Sequence, residues 1–237
     1  MNCISCNHEH DEKFCPNCGE KKNVEKITFT SMFNYAFLSV ANMDKGFLFN
    51  VKTLIINPKK VILEYIEGKR KGVLNPISFL IITISIYLIV EGIFRVPKTI
   101  NEVGVNDLVF RKIGNAGGRF IREYLKFFWI FSIIPLSFFT KLVFRKYNYS
   151  EHLAISSFVV GQATLFGLLS YMVFKSPLLL DPIVYFFIII LLYRVFVGKN
   201  NKVEIVTLSI ISVFLFFFTL FLSTLLIGFL KVKYSFF

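Results

Sequence analysis

Uncharged runs long enough to cross a bilayer dominate the last two-thirds of the chain. Residues 72–90 hold nineteen positions without a charge, 153–174 hold twenty-two and 205–230 hold twenty-six. Residues 127–144 form another apolar run, interrupted by Pro135 and carrying Lys141 near one end. A shorter one covers 182–197, where Asp181 and Arg194 bracket twelve uncharged residues. A membrane-crossing helix needs about twenty mainly apolar residues, and none of these runs shows the alternation of an outer-membrane barrel strand. The pattern predicts an all-α, polytopic helical membrane protein with about five spans, near 77–94, 127–144, 153–174, 182–197 and 205–230. Four and six are the neighbouring counts.

Ahead of the first span, residues 27–75 are apolar but punctuated by charge. Phe29, Met32, Phe33, Ala36, Phe37 and Val40 recur at helical spacing, Asp44-Lys45-Gly46 breaks the pattern, and residues 47–56 resume it. Pro58 then leads into Lys59-Lys60, and a basic run follows at Gly68-Lys69-Arg70-Lys71. Short amphipathic helices lying in the membrane interface are expected here, with Lys59, Lys60, Lys69, Arg70 and Lys71 facing anionic lipid headgroups, and a soluble helical linker domain is the alternative. Residues 76–237 would then be the helical bundle. Within it, 95–126 is the one long connection, and its Gly114-Asn115-Ala116-Gly117-Gly118 run reads as a flexible turn. A phosphate loop needs the order G-x4-G-K-[ST], which is missing here.

Composition agrees with the pattern: of 237 residues, 55% are hydrophobic, thirty are Phe and only 18% are charged, with mean hydropathy +0.63. Soluble domains carry about 25% charged residues, so this excess excludes an ordinary soluble enzyme or a disordered chain. The net charge of +12 invites a nucleic-acid reading, but its distribution does not. Residues 1–26 contain four Lys against five Asp or Glu, a net of −1, so the positive charge lies around the lipid-facing part. No nucleic-acid partner is expected.

That N-terminal segment holds all four cysteines, as Cys3-Ile4-Ser5-Cys6 and Cys15-Pro16-Asn17-Cys18-Gly19. A C-x2-C turn lets two sulfurs face one ion, and two such turns supply the four ligands of tetrahedral zinc. Gly19, and Asn7 at the equivalent place after Cys6, suit a left-handed backbone directly after each pair. Cys3, Cys6, Cys15 and Cys18 are therefore the expected ligands of a structural Zn2+ in a ribbon spanning 1–26. Two disulfides are the competing reading, but they need an oxidising compartment, and no apolar leader precedes the cysteines. His8 and His10 are spare ligands that two complete cysteine pairs make unnecessary; solvated loop positions are expected for both. The loop cations do not decide orientation, with eleven Lys and Arg on one set of flanks and ten on the other. Reduced thiolates do, and place the N-terminus in the cytoplasm.

Ionisable residues at membrane depth are functional suspects. Glu91 lies near the end of the first span, four residues before Arg95, a spacing that suits an ion pair. Glu151 and His152 open the third span together; interfacial anchoring and helix-terminus charge complementation compete there with a proton-handling or metal role. Gln162 is expected to make an interhelical hydrogen bond. No Ser-His-Asp set, carboxylate pair or H-E-x-x-H is present.

The C-x2-C…C-x2-C-G ribbon resembles the start of an uncharacterised bacterial family of multi-spanning membrane proteins, classed as a domain of unknown function. So does the block Thr53-Leu54…Asn57-Pro58…Glu64-Tyr65-Ile66-Glu67-Gly68-Lys69-Arg70…Asn75-Pro76-Ile77-Ser78-Phe79-Leu80. Tyr149-Ser150-Glu151-His152 is similar to it too. The resemblance implies a bacterial inner-membrane protein with a zinc ribbon, and no known reaction. Three classes follow from the sequence: a non-catalytic scaffold or assembly factor whose ribbon docks a cytoplasmic protein; a transporter or lipid-handling permease; and an intramembrane enzyme built on Glu91, Glu151 and His152. The missing polar cluster favours the first.

Overall fold

The computed structural model describes residues 2–22, 26–28, 30–32, 46–70, 72–94, 109–198 and 202–234. The helical-spacing run at 33–40, Lys71 and Arg95 lie outside the described residues. Among the described residues from 46 onward the α-helices are α1 (Gly46–Ile56), α2 (Pro58–Glu67), α3 (Pro76–Ile93), α4 (Val109–Glu123), α5 (Leu125–Phe131), α6 (Ile133–Phe144), α7 (Tyr149–Phe174), α8 (Pro182–Phe196) and α9 (Lys202–Tyr234). A 3-10 turn, Leu178–Leu180, joins α7 to α8. Among the described residues there is no strand, only two isolated bridges near the cysteines.

Three helices begin with the same local device. Asn57-Pro58, Asn75-Pro76 and Asp181-Pro182 each place a side-chain oxygen on a free backbone N–H of the first turn, from Lys60, Ile77 and Ile183. The following Pro has no N–H to satisfy and its fixed φ suits the first helical position. Asn75 does more: its amide also donates to the Met32 carbonyl at 3.0 Å, pinning the segment after the cysteines to the mouth of α3.

α7 forms the centre of the bundle. Phe79 meets Phe158 and Tyr87 meets Tyr171, with ring centroids 5.9 and 5.8 Å apart, so α3 and α7 run parallel. α5 and α6 run back alongside: the Trp129 indole donates to Thr164 at 2.9 Å, and Thr140 lies 3.1 Å from His152. Pro135 explains the break between them at Ser132, because it removes an amide and crowds the preceding turn. α8 is also antiparallel to α7, stacking Phe187 on Phe166 at one end and Phe196 against His152 at the other.

Among the described residues four stretches are long and apolar enough to cross a membrane: Pro76–Ile93, Phe127–Phe144, Tyr149–Phe174 and Lys202–Tyr234. The run at 182–197 falls short of that length. Its helix α8 has 15 residues, about 22 Å at 1.5 Å per residue, against a hydrocarbon core of roughly 30 Å.

The shortfall is met by protein. Lys59 donates to the Val197 carbonyl just past the end of α8. In the other direction the Arg194 guanidinium donates to the carbonyls of Ile55, at 2.6 Å, and Ile56, the last of α1. α2 lies under this end of the bundle, burying Val61, Ile62 and Tyr65, with Tyr65 edge-on to Phe158 at 5.6 Å. The sequence reading puts this apolar face in the lipid interface; the structure turns it onto α7 and α8. α1 differs, keeping Leu48, Phe49, Ile55 and Ile56 exposed.

Arg194→Ala should therefore release the end of α1 by leaving two carbonyls without a cationic donor, a loss of about 1–3 kcal/mol. Thermal unfolding in detergent and amide exchange across 46–56 measure it. Unchanged exchange there would show that α1 does not depend on this clamp.

A second revision concerns 95–126. The glycine run expected as a flexible turn lies inside helix α4, and it is used for packing. At Gly117 a Cβ would collide with the Thr224 carbonyl of α9, and at Gly228 with the Ile113 carbonyl of α4. Small residues let two helix backbones touch, which is the way helices associate where water supplies no drive.

Candidate metal centre

The cysteines sit on two short turns with matching hydrogen bonds. In the first, the Cys3 amide donates to the His8 carbonyl at 3.0 Å, and the Asn7 amide to the Cys3 carbonyl at 3.0 Å. In the second, the Cys15 amide donates to Glu20 at 2.8 Å and the Gly19 amide to Cys15 at 2.7 Å. Asn7 and Gly19 occupy the same place after each pair with φ of 59° and 74°, the left-handed geometry that their residue types favour.

The outcome is four sulfurs converging on one point. All lie within 4.8 Å of one another. Cys3 and Cys18 Sγ are 3.4 Å apart, and Cys6 and Cys15 Sγ 3.6 Å. A disulfide would need about 2.05 Å. Tetrahedral ligands at about 2.3 Å from zinc lie roughly 3.8 Å from each other, so the donor set matches a thiolate cage. Four soft sulfur donors around one point suit a single zinc or iron ion.

The electrostatics divide the four thiols. The His8 amide, helped by the other thiols, lowers Cys6 to about 6. Cys3 is lowered too, chiefly by the Cys6 amide. The Glu20 amide also pulls Cys18 down, but burial and the thiols of Cys3, Cys6 and Cys15 outweigh it and push Cys18 up to about 12. Like charges this close cannot all form without a cation between them.

Around the cage, Ser5 donates to Glu20 at 2.8 Å, and Lys22 closes the segment onto Asp11, donating to its backbone and pairing with its carboxylate at 3.2 Å. That ammonium holds the Asp11 carboxyl below its usual range. His8 is exposed, as a loop position should be. His10 is not: it is buried, yet it stands outside the four-thiol group.

The other candidate residues do not assemble. Glu151 completes a capping box with Asn148, each side chain bonded to the other's backbone N–H at 2.8 Å. His152 points the other way, fully buried, with Nδ1 3.1 Å from the Thr140 hydroxyl and its ring clustered with those of Tyr147 and Phe196. Glu91 is level with the end of α7, one turn past the Tyr87–Tyr171 contact. Twenty residues of helix, about 30 Å, separate Glu151 from Tyr171, and Glu91 lies a turn further on. A single site built from Glu91, Glu151 and His152 is therefore ruled out by distance. Gln162 is buried on α7, but its Oε1 finds no partner among the described residues.

The basic residues of the apron are also partly committed. Besides Lys59, Lys69 pairs with Glu64 at 3.6 Å, and Arg70 lies over the Tyr65 ring at 5.5 Å. Lys60 remains exposed. Sequence reasoning missed Arg194 and Asp181 as organising residues. Asp181-Pro182 carried a readable capping signal, whereas nothing local marked Arg194 as a partner of α1.

The fold and the site define a helical membrane protein with a four-cysteine cluster near its N-terminus, suited to one metal ion. Residues 44–88 match the profile of a family described as "Protein of unknown function (DUF3667)". The matched stretch runs through α1, α2 and most of α3, the block where a docked apron leads into the first span. No curated protein and no solved structure matches the chain.

Proposed function

We propose that this chain is a non-catalytic scaffold or assembly factor of the bacterial inner membrane. Its N-terminal knuckle lies in the cytoplasm, holds one structural Zn2+ through Cys3, Cys6, Cys15 and Cys18, and docks a protein partner beside the lipid surface. Lys60 and the exposed face of α1 meet anionic headgroups at that surface, together with Lys69 and Arg70 at the edge of α2.

One observation carries the reading: the only preorganised chemical centre among the described residues is a four-thiol cage with no open ligand position. Structural zinc sites are closed in this way, whereas catalytic ones keep a position for water or substrate. The dispersal of Glu91, Glu151 and His152 supports it further. A net charge of −1 over residues 1–26 suits a protein surface better than phosphate.

The test is affinity capture of the full chain in mild detergent beside a Cys6→Ser/Cys15→Ser variant. A defined cytoplasmic protein should be recovered with the first and lost with the second, while both reach the membrane in equal amounts. Identical recovery from the two would overturn the docking role, and co-purifying nucleic acid would overturn the choice of partner.

A further inference from the structure

At the end of the bundle away from α2, an apolar cavity of about 250 Å³ opens between α4, α9 and the 3-10 turn after α7. Its walls are almost all hydrocarbon, including Ile121, Leu125, Leu178, Leu220 and Phe221, and among the described residues the single charged group on it is Glu91. Along α9 the lining runs from Phe217 to Leu225, about 12 Å at the helical rise, close to one leaflet's half of a roughly 30 Å core.

Two glycines shape it. Gly117 is spent on the close contact with α9, but Gly114 and Gly118 line the cavity, and a Cβ at either would meet nothing within 4 Å. Their missing side chains are therefore not explained by helix packing. In a helix such glycines are unfavourable, and here they leave room.

Charge of both signs stands at this end of the bundle, the carboxylate on the cavity and an ammonium beyond its lining. Among the described residues no cation pairs with Glu91. One helical turn further along α3, Phe94 lies under the Lys175 ammonium, 5.3 Å from its ring centroid, and Tyr171 holds the same ammonium at 5.2 Å. An apolar slot ending at a carboxylate, with an ammonium one turn away, is complementary to a zwitterionic lipid.

We propose that this cavity binds one acyl chain of a phospholipid with a primary-amine headgroup, whose ammonium sits at Glu91 and whose phosphate faces Lys175. The site is independent of the zinc knuckle and of any partner held there. An anionic lipid would set its headgroup against the Glu91 carboxylate, so charge selects the amine.

Native mass spectrometry of the full chain tests this, with phosphatidylethanolamine and phosphatidylglycerol offered in equal amounts. One phosphatidylethanolamine should be retained per chain in preference to phosphatidylglycerol. Glu91→Gln should cut that preference roughly tenfold, the worth of one charge-assisted contact. Gly118→Leu should abolish retention by filling the slot, without lowering the unfolding temperature. Equal retention of the two lipids by the unmodified chain would overturn the proposal, as would retention unchanged in Gly118→Leu. If that variant fails to fold, Glu91→Gln decides alone: an unaltered preference rejects the site.

Discussion

Cys6→Ser/Cys15→Ser should strip the protein of its metal and unfold the knuckle while leaving the bundle assembled. The unmodified chain, purified under reducing conditions, should carry about one zinc. Structural zinc in small modules binds with an apparent free energy of about 10–16 kcal/mol at neutral pH, far more than a segment of this size gains from its few buried side chains. Removing two of four sulfurs leaves no closed cage, and Cys3 and Cys15 are the main apolar groups buried within the segment. The loss should appear as zero metal by elemental analysis and as proteolysis within residues 2–22, with thermal unfolding of the helices unchanged.

The same site predicts a direction with pH. Cys6 is lowered from an ordinary value of 9.0 to about 6, so its thiolate favours the folded knuckle fully above 9, and that contribution is lost as pH falls through 6. Zinc must displace the protons of the remaining thiols as well, so acidification weakens binding more steeply than one group alone would. Zinc should be held against a chelator at pH 8 and released near pH 5. Equal retention at both would mean that the ligands are not these thiols.

Gly228→Leu should separate α4 from α9. A Cβ there would meet the Ile113 carbonyl and the Gly117 amide, both backbone, which cannot turn aside as a side chain can. Overpacking costs about 1–3 kcal/mol where neighbours adjust, and this contact should fall at or beyond the upper end. Gly114→Leu is the matched control, because it adds the same side chain to the same helix pair in open space. It should unfold at or above the temperature of the unmodified chain, since glycine in a helix costs about 0.5–1 kcal/mol relative to alanine. Equal unfolding temperatures for the two variants would show that the close approach does not hold the helices together.

Both effects bear on what a reader of the sequence can know. The knuckle was legible because its geometry is local: a C-x2-C turn and a residue tolerant of positive φ lie within five positions of each other. The helical class and the long apolar runs were legible for a similar reason, since each such helix satisfies its own backbone and declares itself by composition alone. Asn57-Pro58, Asn75-Pro76 and Asp181-Pro182 mark helix starts by the same short-range logic.

What the sequence could not decide depends on which surface covers a given face. The apolar side of α2 suits lipid and protein equally, and only the arrival of α7 and α8 shows that protein covers it. A glycine run reads as a turn until a second helix explains why side chains must be absent, as Thr224 and Gly228 do for Gly117. Glu91, Glu151 and His152 look like a set in one dimension, but a helix rise of 1.5 Å per residue carries them to opposite ends of the bundle. By itself the sequence determined the chemistry of the knuckle and the helical, membrane-sized runs, because those follow from neighbours along the chain. Tertiary structure alone decided which apolar faces meet protein, which glycines leave space, and which charges stand near one another, because each of these depends on contacts between residues far apart in sequence.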